Sequence, residues 1–158
     1  MDPTITDLFE RSGSNTITVR GRVVRALVRL PVRDGTVVRI ARIRCNEQRP
    51  EALKLALDSG VLDVNGIQAA QIGLWSDTSP EEVVVRIRGE QASALDVWNA
   101  WLIGGVDTSW LGNAGIVSKA IPDGQALHCS DGIGPPDFTD LVVEVHVKHP
   151  STEGDTDA

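Results

Sequence analysis

The sequence contains no tyrosine and only two phenylalanines, Phe9 and Phe138. Large aromatic contacts must therefore come from four tryptophans, all lying between Trp75 and Trp110, each able to bury roughly 150–250 Å². Cysteine is also scarce. Cys45 and Cys129 are too few for a disulfide framework or a zinc ligand set, and a reducing cytoplasm is the expected compartment. No apolar run approaches the roughly 20 residues of a membrane-spanning helix. The opening M-D-P-T-I-T-D-L-F-E is acidic and lacks the basic and apolar segments of an export signal. The chain has no P-loop, no dinucleotide fingerprint and no nucleophile elbow, and its three histidines, His128, His146 and His149, have no metal-binding spacing.

What is present is an ordinary folding composition, 41% hydrophobic and 23% charged over 158 residues. One domain is expected, because a chain of this size buries about 70% of its unfolded surface. Arginine outnumbers lysine twelve to three. The net charge of −7 is segregated: residues 11–49 carry ten arginines against Asp34 and Glu47, or +8, which leaves −15 for the rest. A basic segment of this kind either offers a polyanion-binding surface or lies beside acidic strands in one sheet.

Period-2 alternation dominates the chain. In T-I-T-V-R-G-R-V (16–23), Ile17, Val19 and Val23 share one face, and Gly21 reads as a bulge. Asp34-Gly35 reads as a hairpin turn that makes V-V-R-I-A-R-I-R (37–44) the antiparallel neighbour of that first basic strand. In R-P-E-A-L-K-L-A-L-D-S-G (49–60), Pro50 and Gly60 fit a short helix. The alternation of Leu53, Leu55 and Leu57 favours a strand, completed as a hairpin by V-L-D-V-N-G (61–66). Further strands are predicted at 71–75, 83–88, 95–101, 115–121, 126–129 and 141–147. Strands this short and regularly spaced imply an all-β antiparallel β-sandwich, jelly-roll-like, over residues 1–147, with at most one short helix near residue 50. Residues 148–158 read as a disordered acidic tail.

The stretch C-S-D-G-I-G-P-P-D-F-T-D-L-V-V-E-V (129–145) packs acidic residues and two prolines against the last strand. Asp131, Asp137 and Asp140 could converge on a calcium ion, which takes six to eight oxygen ligands, or Asp137 could simply cap its own loop. D-F-T-D-L-V-V-E-V resembles the D-F-N-D-L-V-V-E-V ending of β-sandwich domains in bacterial surface and calcium-associated adhesion proteins, with Thr139 in place of the usual asparagine and Pro136 in place of the acidic or glycine-rich lead-in. A second resemblance covers about residues 72–147, where L-W-S-D-T, W-N-A-W, W-L-G-N-A-G and C-S-D-G look like small uncharacterised actinobacterial β-rich proteins. It implies a compact domain and carries over no catalytic residue.

H-C-S-D (128–131) juxtaposes a base, two nucleophiles and a carboxylate. Neighbouring strand residues point to opposite faces, so these side chains cannot assemble in sequence, and no enzyme activity is expected. Trp98, Asn99, Trp110, Asn113 and Asp137 are the candidate binding residues. Trp98 faces away from Val97 and Asn99 and is the tryptophan expected to be exposed. Arg20, Arg22, Arg42 and Arg44 form a candidate polyanion stripe, although no aromatic residue lies between Phe9 and Trp75 to stack on bases, and nucleic acid is not the expected partner.

These residues point to a non-catalytic binding or protein-interaction module of a soluble bacterial protein. Its contacts would be made by the loops around 76–82, 104–114 and 130–139, with a protein or carbohydrate partner and no membrane. A calcium-dependent carbohydrate-binding or adhesion domain is the first alternative, with Ca2+ as its cofactor where the leading reading needs none. Polyanion binding through the arginine-rich strands is the second. Edge strands leave room for a homo-oligomer.

Overall fold

The computed structural model describes residues 3–151. It opens with one short helix, α1 (Ile5–Ser12). The local sequence explains it: the Thr4 hydroxyl accepts from the Asp7 N–H at 3.2 Å while Asp7 Oδ2 accepts from the Thr4 N–H at 3.0 Å, a capping box that closes the first turn. Gly13, at φ 64°, ends the helix in the left-handed region. The short helix is thus at the N-terminus and not near residue 50, where the leucine alternation holds and a strand forms.

The strands, in chain order, are β1 (Thr16–Val19), β2 (Arg22–Arg25), β3 (Val28–Pro31), β4 (Val37–Cys45), β5 (Glu51–Leu57), β6 (Val61–Val64) and β7 (Ile67–Ala69). There follow β8 (Gln71–Trp75), β9 (Glu82–Arg88), β10 (Ala94–Ile103), β11 (Val106–Thr108), β12 (Gly115–Ile121), β13 (Gly124–Ser130) and β14 (Leu141–Lys148). They build two antiparallel sheets. The larger runs β1-β2-β12-β13-β14-β4-β9-β6-β7; the smaller runs β11-β10-β5-β8, with β3 also paired to β10. The fold is all-β. One core is shared by both sheets, with Val38, Leu62, Val85, Ile87, Ile116 and Leu127 from the larger meeting Leu53, Leu55, Leu95 and Val97 from the smaller. Each such side chain contributes about 1.5–3 kcal/mol by leaving water.

Three expected connections differ. Residues 16–23 are not one bulged strand: Arg20 (φ 52°) and Gly21 (φ 78°) form a two-residue turn joining β1 to β2. Asp34-Gly35 does not close a hairpin, because β3 pairs with β10 in the smaller sheet while β4 pairs with β14 and β9 in the larger. The chain crosses between sheets there, and the corner is held by the Gly35 N–H donating to Ile87 O at 2.8 Å and the Gly89 N–H donating to Asp34 Oδ1 at 2.9 Å. Asp58-Ser59-Gly60 is likewise a crossing, since β5 pairs with β10 and β8 while β6 pairs with β9 and β7. Turn chemistry marks where a chain reverses but not which strand it meets next.

In the final strand Leu141, Val143 and Val145 are buried as alternation expects, but Val142, expected outward, is buried too, at an irregularity in the pairing with β4. Residues 148–150, expected in a disordered tail, are placed against the larger sheet and the corner before β4. Lys148 still pairs with Val37, His149 Nδ1 lies 3.1 Å from the Thr36 hydroxyl and Arg33 Nη2 donates to Pro150 O at 2.6 Å. The remainder of that expectation, residues 152–158, lies outside the described residues. Among the described residues no helix is long and apolar enough to cross a membrane.

Candidate functional site

At one end of the two sheets the β10–β11 hairpin, residues 109–114 and residues 131–140 come together. Gly104 (φ 56°) and Gly105 (φ 79°) turn β10 into β11. Gly112 and Gly132 lock the two loops, for a Cβ on Gly112 would fall 2.4 Å from Gly132 O and one on Gly132 would fall 2.6 Å from Leu111 O. Only glycines allow backbones to approach this closely. Four apolar side chains of these segments are left in water: Ile103, Val106, Leu111 and Ile133 are all exposed. Ile103 and Val106 are directly opposed across the hairpin, and Ile103, Pro50 and Ile133 border a shared depression of about 390 Å³.

Beneath this end lies a buried acidic cluster. Asp131 is wholly buried. Its Oδ2 accepts from Arg49 Nη1 at 2.6 Å and its Oδ1 from the Ile133 N–H at 2.9 Å. Asp140 accepts from the Asp131 N–H at 2.9 Å and from Asn46 Nδ2 at 3.2 Å. Burial, the largest cause, raises the Asp140 pKa above its ordinary value, and the neighbouring acids add to the rise. Glu51, 0% exposed, joins them from the start of β5. Neither of its oxygens accepts from an N–H or O–H among the described residues. Burial first, and then the Asp131 carboxyl beside it and the charge of Asp140, push its pKa up to about 10. Glu51 is therefore held in its neutral form at neutral pH. It sits directly across from Trp101 on β10, whose buried Nε1 also lacks a partner among the described residues.

The three aspartates of the calcium alternative are thus divided. Asp131 and Asp140 meet, each committed to protein donors, while Asp137 is exposed and its Oδ1 accepts from the Thr139 N–H at 3.1 Å, turning its own backbone. Among the described residues no three Asp, Glu, His or Cys side chains converge to hold a metal ion.

Trp98 is not the exposed tryptophan. It is 8% exposed because Trp110, 45% exposed, lies across it, with ring centroids 4.9 Å apart and planes 25° from parallel. Trp110 Nε1 in turn donates to Ala26 O at 2.9 Å. Alternation gave the face of Trp98 correctly but not its cover, which arrives from a loop twelve residues later. Asn99 is buried and donates to Ser130 O at 2.8 Å, tying the smaller sheet to the larger. Asn113 Oδ1 accepts from the Ile5 N–H at 3.1 Å and Nδ2 donates to Gly134 O at 3.0 Å, so it joins α1 to the 131–140 loop.

The arginines do not form one stripe. Three strands, β12, β13 and β14, stand between β2 and β4, which at about 4.8 Å per strand puts Arg22 roughly 19 Å from Arg42 and Arg44. Arg42 donates to Ser79 O at 3.4 Å and Arg22 lies over the Phe138 ring at 5.6 Å. Cys129 is wholly buried, and burial raises its thiol pKa, the reverse of what a thiolate nucleophile needs. Burial also lowers the pKa of His128.

Sequence reasoning missed Glu51 and Arg49. The signal was available for Glu51, which stands two residues before Leu53 and so shares the inward face of β5 with Leu53, Leu55 and Leu57. An acid in register with an apolar stripe is a buried acid. The chain matches no protein-family model, no curated protein and no solved structure.

Proposed function

We propose that the chain is a non-catalytic protein-interaction module whose contact surface is the end formed by residues 103–114 and 131–139. The observation that carries this reading is the exposure of Ile103, Val106, Leu111 and Ile133 on loops locked together at Gly112 and Gly132. Scattered exposed apolar residues need no explanation, but neighbouring ones on a rigid end do. Flexible loops would lose conformational freedom on binding; loops already held by close glycine contacts and by the Arg49–Asp131 pair pay little of that entropy. Asn113 and Asp131 of this end are committed to structural partners, so apolar burial dominates a contact made through Ile103, Val106, Leu111 and Ile133. That favours a protein partner over a sugar, whose hydroxyls need convergent polar side chains.

The test is photo-crosslinking in extract from the native source, with a photoreactive phenylalanine analogue at Leu111 and, as control, at Asp123 in the β12–β13 turn. A discrete protein adduct formed from Leu111 and not from Asp123 supports the reading. No adduct, or the same adduct from both positions, removes it.

A further inference from the structure

A second surface lies to one side of this end, under α1. The helix, the Arg20-Gly21 turn and Pro135–Phe138 enclose a cleft of about 600 Å³, within the roughly 300–1,000 Å³ range of ligand sites. Leu8, Val19, Pro135 and Pro136 line it with apolar surface, and Arg20 and Arg22 supply cations at its rim. Both arginines are exposed, and neither joins an ion pair among the described residues.

The walls are preformed. α1 is held by the Thr6 N–H donating to Gly112 O at 3.0 Å, and Asn113 bridges the helix to Gly134 on the opposite wall. Phe138, whose ring is packed with Ile5 and Val24, holds φ at 60°, and its N–H donates to Ser130 Oγ at 2.6 Å. Arg20 holds φ at 52° in the first position of its turn, where glycine, asparagine or aspartate fits without strain. A left-handed arginine and a left-handed phenylalanine on one cleft are backbone costs that a purely structural turn does not require.

We propose that this cleft binds an acidic peptide segment with interleaved apolar side chains, its carboxylates on Arg20 and Arg22. Asp137, also on the cleft, engages its Oδ1 with the Thr139 N–H and leaves Oδ2 as an acceptor for a ligand N–H. A peptide offers that donor beside its carboxylates; a phosphate backbone does not. Nucleic acid would also need an exposed ring to stack upon, whereas Phe138 is buried beneath Arg22.

The experiment pans a phage-displayed random dodecapeptide library on the full chain. In parallel, fluorescence anisotropy follows a labelled twenty-nucleotide oligo-dT. The expected result is enrichment of sequences with Asp or Glu beside apolar residues, reduced at least tenfold on R20E/R22E. R20G, which removes the charge while relieving the backbone, should weaken binding and leave thermal stability equal or higher, so that the lost binding is not lost folding. L111E/I133E should bind the selected peptides normally, which separates this surface from the one proposed above. Absence of enrichment, or enrichment that survives R20E/R22E, overturns the proposal. Oligo-dT binding that R20E/R22E abolishes overturns it in favour of a polyanion site.

Discussion

Arg49 Nη1 and Asp131 Oδ2 meet at 2.6 Å across 82 residues of sequence, and Asp131 is the one carboxylate of a salt bridge among the described residues whose side chain is wholly buried. The pair fastens the segment before β5 to the loop after β13, with Asn46 fastened to Asp140 beside it. Removing the arginine leaves a buried charge without its counterpart, which costs about 3–5 kcal/mol. Arg49→Met should therefore lower the stability measured by urea unfolding by that order. Arg49→Met with Asp131→Asn should recover part of the loss, because neither charge then remains.

Glu51 makes stability fall with pH. Its folded pKa, about 10, is above the ordinary glutamate value of 4.5. Below pH 4.5 both folded and unfolded chains hold the proton, so the group contributes no difference. Between those values the unfolded chain gives the proton up while the folded chain keeps it, which favours unfolding by up to about 1.4 kcal/mol per pH unit. Glu51→Gln removes this titration. The variant's stability relative to the native chain should rise from pH 5 to pH 8 in urea unfolding series; a constant difference would show that Glu51 is not held neutral.

Trp110 shields Trp98, so Trp110→Ala should expose an indole that is now covered. The stacked contact contributes about 0.5–1.5 kcal/mol beyond area burial, and the tryptophan emission of the variant should move to longer wavelength. Trp101, buried against Gly132, should emit unshifted.

Calcium at millimolar concentration should leave the melting temperature unchanged. Asp131 is committed to Arg49 and the Ile133 N–H, Glu51 is protonated, and Asp137 is turned onto its own loop. A ligand that binds only the folded chain raises the melting temperature, so an upward shift would restore the calcium reading.

Most strands with one apolar face were legible, although β3, with Val28 and Leu30 buried, went unread. Leu141, Val143 and Val145 are buried as their alternation requires, and Leu53, Leu55 and Leu57 are inward on β5. Sheet membership was not legible, because Asp34-Gly35 and Asp58-Ser59-Gly60 carry hairpin chemistry yet lead across from one sheet to the other. The helix was readable in the Thr4-to-Asp7 capping box before Gly13 and went unread. Of the loops singled out at 76–82, 104–114 and 130–139, the last two meet at one end of the sheets, but the exposed tryptophan is Trp110 and the unread buried acid is Glu51. The cover over Trp98 depends on a contact from another loop, which periodicity does not encode, whereas Glu51 stood in register with Leu53, Leu55 and Leu57 and went unread.

The most direct test of the interaction surface is the affinity of the full chain for the protein crosslinked through Leu111, compared with that of L111E/I133E. Both substituted side chains are exposed, so the variant should melt at the native temperature and bind at least tenfold more weakly. A folded L111E/I133E chain that binds with native affinity would contradict the account.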